Sequence, residues 1–273
     1  MRNLVRTALV ISLFALQNVA IASNETNMRI VTLSPHLTEW VYLLKAERSL
    51  VGVSAFSNYP EAAETLPVIV DVNGINFTQL LALKPTLILA WEGGNKPQDI
   101  SRLRLMNIPI FNSSPKTLED IAEELLALGK LIKRSNQADV IVGNYRTQLQ
   151  KLRQQFQRRA KVKGFYYLWH KPLMTIGANA WANQILNVCN IDNIFADAPV
   201  DYPEVRMAEV ISRQPDILIT SVVGAQSSHI PFWQTHKTLL DATLIELDPD
   251  IAHRFSPRIL TEIQRLCSLS HGQ

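Results

Sequence analysis

Six histidines, two cysteines and a scatter of serines are the residues of this 273-residue chain that could carry metal or nucleophilic chemistry. The histidines stand at 36, 170, 229, 236, 253 and 271. None has the i, i+4 or His-x-His spacing that brings two imidazoles onto one metal. Ser34, Ser54 and Ser57 have no visible partner base to activate a hydroxyl. No phosphate-binding, dinucleotide-binding, nucleophile-elbow or zinc-hydrolase motif is present, and Gly93-Gly94 alone does not make a phosphate cradle. That pattern favours binding over catalysis. What stands out instead is a set of aromatics at strand ends and in loops: Phe56, Tyr59, Trp91, Trp169, Tyr202 and Phe255. Such residues offer broad, rigid apolar walls at low entropic cost. Trp233 reads as core, whereas Trp91, beside Glu92-Gly93-Gly94, reads as facing a ligand.

The elements that must position these aromatics alternate between strand and helix. Residues 28–33, 50–54, 86–91 and 108–111 read as strands, with helices over about 38–45 and 77–83. A second stretch repeats the order, with strands over 164–169 and 217–220 and a helix over 181–189. Short apolar runs alternating with helices imply parallel sheets covered on both faces. In open sheets of this kind ligands lie beyond the carboxyl ends of the strands. Leu80 to Leu89 also aligns with Val210 to Ile219, each reading as helix end, proline turn and buried strand, which suggests an internal duplication.

Between the halves, Ala138, Ile141, Val142, Tyr145, Leu149, Leu152 and Phe156 form one apolar stripe at helical spacing. The segment from about 136 to 159 reads as a helix ~36 Å long, stiff where a flexible linker would be rich in Gly and Ser. It is either a strut between two lobes or a surface helix of one of them. The expected architecture is α/β: two Rossmann-like lobes with parallel sheets joined by one long rigid helix, with a ligand cleft between the lobes. The divisions are 1–22 for a leader, 23–135 for the first lobe, 136–160 for the connecting helix and 161–273 for the second lobe.

The leader reading rests on Arg2 and Arg6, an apolar run over 8–16, and Ala20-Ile21-Ala22 as a cleavage signal before Ser23. The run is too short to anchor the chain across ~30 Å of hydrocarbon, and no cysteine near the cut could take a lipid. Without the leader, 25 basic residues face 24 acidic ones, a balance with no call for a nucleic-acid partner. Cys189 and Cys267 are the only cysteines. In an exported chain such a pair reads as a disulfide, with two buried thiols as the alternative.

These residues resemble a known family. Val31 to Pro35 with Thr38-Glu39, Val51 to Ser54 through Tyr59-Pro60, and Leu83-Lys84-Pro85 match periplasmic cobalamin-binding proteins of bacterial ABC transporters. So do Ala90-Trp91 with Gly93 to Asn95, Asn193 to Phe195, and Asp250 to Arg254 with Ser256-Pro257-Arg258. The resemblance covers essentially the whole chain beyond the leader. It implies a periplasmic receptor, likewise two-lobed, whose cargo is cobalamin rather than a cofactor and which delivers it to a permease dimer with ATPase subunits. It also implies a receptor that is no enzyme, monomeric when free, with Cys189 and Cys267 as the family disulfide. Carried over by position, Phe56 stands where the family has a ligand-contacting tyrosine. Trp91 keeps its place, Tyr202 stands for a tryptophan of the opposite wall, and Trp169 is a looser match there. Asp250, Ile251, Ala252, His253 and Arg254 match a ligand-contacting loop, and His36, just past the first strand, reads as facing solvent. Relatives dock through one surface glutamate on each lobe, and Thr78 and Ala208 occupy those positions here, with Glu209, Glu61 and Glu64 as substitutes. The rival cargoes are haem, with Tyr59, His36 or Tyr202 as iron ligand, and a ferric siderophore. An exported enzyme on the same scaffold is the rival of another class.

Overall fold

The computed structural model describes residues 28–221, 236 and 239–272. The leader with its cleavage point, His229 and Trp233 lie outside the described residues. The first lobe is built as β1 (Ile30–Thr32), α1 (Pro35–Leu43), β2 (Leu50–Ser54), β3 (Val68–Asp71), β4 (Gly74–Ile75), α2 (Phe77–Ala82), β5 (Leu87–Trp91), α3 (Pro97–Leu105) and β6 (Ile110–Ser113). Its sheet runs β4-β3-β2-β1-β5-β6, parallel except for the β3–β4 edge. β1 and β5 at its centre are almost wholly buried, as unbroken apolar strands covered on both faces must be.

Two helices follow, α4 (Leu118–Leu131) and α5 (Ser135–Phe156). A reciprocal capping box opens α4: Asp120 N–H donates to Thr117 Oγ1, and Thr117 N–H donates to the Asp120 carboxylate. The helix expected over 136–159 is α5, and its buried face is Ala138, Val142, Tyr145, Leu149, Leu152 and Phe156.

The second lobe contains β7 (Val162–Tyr167), β8 (Trp169–His170), β9 (Leu173–Met174), α6 (Trp181–Val188), β10 (Ile191–Asn193), α7 (Met207–Arg213), β11 (Ile217–Thr220), β12 (Thr243–Glu246), α8 (Pro249–Ala252) and α9 (Ile259–Ser270). Its main sheet is parallel in the order β10-β7-β11-β12. Helix α5 packs on α4 and also on α6 and α9, so it bears on both lobes.

The duplication read from the sequence has a structural counterpart. Lys84 and Gln214 both take a left-handed backbone (φ 47° and 49°), immediately before Pro85 and Pro215. Each therefore ends its helix sharply and launches a buried strand, β5 in one lobe and β11 in the other.

One strand differs from expectation. Trp169 does not extend β7, whose pairing with β11 ends at Tyr167–Thr220. The chain turns back there, and Trp169 pairs with Met174 in the β8–β9 hairpin.

Cys189, at the end of α6, is bonded to Cys267 on α9, and both are fully buried. The bond closes 78 residues of chain, so in the chain-entropy view its loss removes at most about 4–5 kcal/mol. Urea unfolding of Cys267→Ala is expected to show a loss of about 2–4 kcal/mol against the oxidised protein. Equal midpoints for the two would refute a stabilising role.

Candidate functional site

The first-lobe wall forms where β1, β2, β3 and β5 end. Phe56, just past β2, is 72 % exposed and sits at φ 64°, a left-handed backbone held by the loop rather than by glycine. Beneath that loop a buried chain of hydroxyls runs Thr32–Thr38–Ser57–Ser54, at 2.7, 3.0 and 3.0 Å. Trp91, the last residue of β5, is half-buried, and its main-chain N–H donates to Asn95 Oδ1 at 2.7 Å. Gly94 lies under the indole. A Cβ there would stand 2.0 Å from the ring, so the Gly-Gly pair seats Trp91 rather than a phosphate. Phe56 and Trp91 line one cavity of about 360 Å³ together with Ser34, Pro35, Asp71, Val72 and Lys96. Val72 was not singled out from the sequence. It lies in the short β3–β4 turn, and only its exposure, 77 %, marks it.

His36 is not at the solvent surface as expected. It is 2 % exposed, held edge-on between Trp40, Trp91 and Phe255 at ring separations of 5.3–5.6 Å. Ser113 gives its proton to Glu124 at 2.6 Å, so its oxygen accepts from His36 Nε2 at 3.3 Å. His36 Nδ1 then accepts from Ser34 Oγ at 3.1 Å. Burial, with Arg254 adding to it, pulls the His36 pKa down to about 3, and burial raises that of Glu124. Phe255, read from the sequence as a wall residue, is likewise buried. It packs on Trp181 at 4.4 Å, and its carbonyl accepts from Trp40 Nε1 at 2.8 Å.

The two lobes meet at a buried ion cluster. Arg254 Nη1 donates to Glu39 Oε1 at 3.0 Å, with side chains 7 % and 1 % exposed. Arg258 Nη2 reaches the same oxygen at 2.6 Å. Arg254 Nη2 also donates to Phe56 O, Asn58 Oδ1 and Asp250 Oδ1, at 2.9, 2.7 and 2.9 Å. Asn58 Nδ2 donates to Asp250 Oδ2 at 2.7 Å, and the Arg258 guanidinium lies 4.0 Å over the Tyr59 ring. The segment expected to be a loop, Asp250 to Arg254, is thus largely a helical turn (α8), capped where Asp248 accepts from Asp250 N–H. Ile251 is half-buried, and buried Ala252 accepts from Trp181 Nε1 at 3.2 Å.

On the second lobe, Trp169 and Tyr202 are exposed and brought onto neighbouring backbone. Met174, paired with Trp169, bridges to Glu204, and Thr175 N–H donates to Pro203 O at 3.1 Å. At the end of β11, buried Ser221 bonds both Tyr166 Oη (2.6 Å) and His253 Nε2 (2.5 Å). Burial lowers the His253 pKa, partly offset by the Ser221 main chain, and raises Tyr166 to about 12. Among the described residues, no group of three or more His, Cys, Asp or Glu could hold a metal ion, and no helix is long and apolar enough to cross a membrane.

A model of a family described as periplasmic binding protein matches residues 30–232. The chain belongs to that family. A vitamin B12-binding protein of Vibrio cholerae is 33 % identical over 244 residues, covering 88 % of each chain. One from Yersinia pestis is 35 % identical over 240 residues, covering 88 % of this chain and 85 % of the relative. The crystal structure of a periplasmic vitamin B12 binding protein of Vibrio cholerae matches with a TM-score of 0.80 at 32 % identity, over 90 % of this chain and 98 % of that one. A periplasmic heme-binding protein from Roseiflexus reaches the same TM-score at 20 % identity over 90 % and 98 %, a likeness of fold alone.

In this periplasmic binding protein Thr78 and Ala208 are both exposed on the first turns of their helices, α2 and α7. They stand at equivalent points of the repeat, each seven residues before the proline that follows its helix. Glu209 is tied to Arg213 at 3.1 Å, and Arg213 also holds Asp197 at 2.6 Å. Glu61 and Glu64 are exposed in a short 3-10 turn.

Buried neutral His36 makes stability depend on acid. The folded pKa lies below the unfolded value of 6.5, so falling pH adds a proton to the unfolded chain first. Stability due to this group is therefore lost progressively from about pH 6.5 down to about pH 3. Urea unfolding at pH 7 and pH 4 is expected to show wild type losing about 3 kcal/mol more than His36→Gln. Parallel losses in the two proteins would refute the assignment.

Proposed function

We propose that this protein is a periplasmic receptor that binds cobalamin between its lobes and hands it to an inner-membrane ABC permease. The observation that carries the reading is the pairing of Phe56 with Trp91 around one cavity at the strand carboxyl ends, in a chain about one-third identical to vitamin B12-binding proteins. A corrin ring is broad and flat, with apolar faces and a fringe of amides. Aromatic walls suit its faces, and polar groups of the second lobe suit its fringe.

Within this reading Phe56, Trp91, Trp169 and Tyr202 supply the walls, and the Asp250–Arg254 segment supplies the polar edge. Arg254 serves that edge as its anchor, since its guanidinium is taken up by Glu39, Phe56, Asn58 and Asp250. Phe56 stacks without the phenol hydroxyl that relatives present. The lobes divide at 23–135 and 161–273, with the connecting helix at 136–160. The chain acts as a monomer without catalytic residues or cofactor, and the leader is cut before Ser23. Docking uses Thr78 and Ala208 with the neighbouring Glu209, without the paired glutamates expected of relatives.

Cyanocobalamin is expected to quench the tryptophan fluorescence of the purified protein at roughly sub-micromolar concentration, an affinity open to a well-formed pocket. Trp91→Ala should weaken binding at least tenfold. Tight haemin binding with no response to cyanocobalamin would overturn the cargo. N-terminal sequencing of protein recovered from the periplasm is expected to begin at Ser23, and an uncut Met1 would sink the leader reading.

A further inference from the structure

The near balance of charge in the whole chain, 27 basic residues against 24 acidic ones, hides a separation within the first lobe. Its central strands are parallel, so the connections that enter them lie at one end of the lobe and those that leave them at the other. The entering end holds Lys45 and Arg48 before β2, Lys84 before β5, and Lys130, Lys133 and Arg134 around the α4–α5 turn. Contacts join these into one surface. Arg134 Nε donates to the Lys45 carbonyl and Gln137 Nε2 to that of Leu43, both at 3.4 Å. Arg29 donates through Nε to the Leu83 carbonyl beside Lys84, and the pairing of Ile30 with Leu50 sets it near the start of β2. Glu47 is the only acid in these connections among the described residues.

The other end carries the opposite sign. Glu61, Glu64, Asp71, Glu92, Asp99 and Asp120 stand in or beside the connections that leave the strands, against Lys96 and Lys116. Arginines elsewhere are paired, as Arg146 is with Glu123 and Arg153 with Glu119. Among the described residues no ion pair takes up Lys45, Arg48, Lys84, Lys130 or Lys133, all of them exposed. Helices α1 to α4 also end here, and helix carboxyl ends attract cations. That attraction answers to about half an elementary charge per helix, well short of the cations present. Lys130, Lys133, Arg134 and the three residues after them line a recess of about 530 Å³. Leu131, between the two lysines, is 48 % exposed. The exposed aromatics among the described residues, Phe56, Tyr59, Trp169 and Tyr202, all lie on the cleft side or at the lobe junction. Protein interfaces are anchored by aromatics, whereas an anionic bilayer asks only for clustered cations and an aliphatic group at headgroup depth.

We propose that the basic end of the first lobe is a docking surface for an anionic phospholipid bilayer, with the acidic end that carries the cavity turned away from it. Lipid phosphates meet Lys45, Arg48, Lys84 and the Lys130–Arg134 turn, and Leu131 enters the headgroup layer. The acidic end is repelled by the same bilayer, so binding selects one orientation, with the cavity open to water. Cations clustered in about this number hold a protein to a membrane reversibly, and salt releases it.

The test is sedimentation of the purified protein with vesicles of phosphatidylglycerol and phosphatidylcholine in equal parts, against phosphatidylcholine alone. Binding is expected only to the anionic vesicles at about 20 mM salt, and is expected to be lost at about 0.5 M. Lys130→Glu/Lys133→Glu should weaken it at least tenfold. Lys116→Glu/Lys171→Glu, an equal charge change on the cleft side, should leave it within about twofold. The milder Lys84→Gln/Lys130→Gln should also weaken it, and circular dichroism checks that each variant is folded. Cyanocobalamin quenching is expected to be the same with and without vesicles. No binding to anionic vesicles at low salt, binding that salt does not release, or equal loss in the two reversal variants overturns the proposal. Quenching abolished only when vesicles are present overturns it too, since the wrong end would then face the bilayer. A protein that never responds to cyanocobalamin fails the cargo reading alone, and sedimentation still decides this one.

Discussion

Glu39 is a carboxylate with almost no exposure to water, and much else in the molecule follows from the need to satisfy it. An isolated buried charge is expensive, and here it is met by two guanidinium groups from the far end of the chain. Arg254 is the pivot because it does more than neutralise Glu39. Its second nitrogen also gathers the Phe56 carbonyl, Asn58 and Asp250. One guanidinium therefore fixes the loop that carries Phe56 and the helical turn that carries Asp250. Its planar array of donors is suited to that, where the compact ammonium of a lysine would not be.

The aromatic floor depends on the same junction. Trp40 donates to the Phe255 carbonyl across the lobes, and Phe255 follows Arg254 directly in the chain. His36 is closed in by Trp40, Phe255 and Trp91, and Arg254 contributes to keeping it neutral. Trp91 thus rests on a support drawn from both lobes: Gly94 beneath the indole, His36 at its edge, and Phe255 at 5.5 Å. An aromatic surface braced in this way is pre-organised, which lowers the ordering cost of any ligand that stacks on it.

Strands β1, β2, β5, β6, β7 and β11, with α5 and the proline turns, were legible because each is a local pattern: an apolar run, a stripe at helical spacing, a proline after a left-handed residue. Strands β3, β4, β10 and β12 were too short or too polar to show one. Helices α3 and α9 went unread, as did α4, although Thr117 and Asp120 spell a capping box before its apolar face. The candidate site was only half legible. Phe56, Trp91 and Tyr202 announce themselves as aromatics in loops or at strand ends. The Glu39–Arg254 pair spans 215 residues, and no local signal links its partners. His36 misled for a related reason: a polar residue at a helix start reads as wet until Trp40 of its own helix and the distant Trp91 and Phe255 close over it. Trp169 misled because the end of β7 is decided by its neighbour β11, which stops at Thr220.

The charge state of the junction also bears on which flat macrocycle suits it. Haem carries two carboxylates, so a receptor for it gains from cations left free to meet them. Both arginines drawn to the junction are committed, Arg254 to Glu39 and Asp250, Arg258 to Glu39 and the Tyr59 ring. Lys96 at the first-lobe cavity gives its ammonium to the Asn73 carbonyl at 2.6 Å. Asp71 and Asp99 line that cavity as well. Pulling a guanidinium away to greet an anion would strand Glu39, a cost that a carboxylate half in water would not repay. A ligand whose rim is made of neutral amides asks for no such exchange. It can be met by the half-buried Trp91 and the exposed Phe56 at the first-lobe cavity without disturbing the ion cluster that holds the lobes in place.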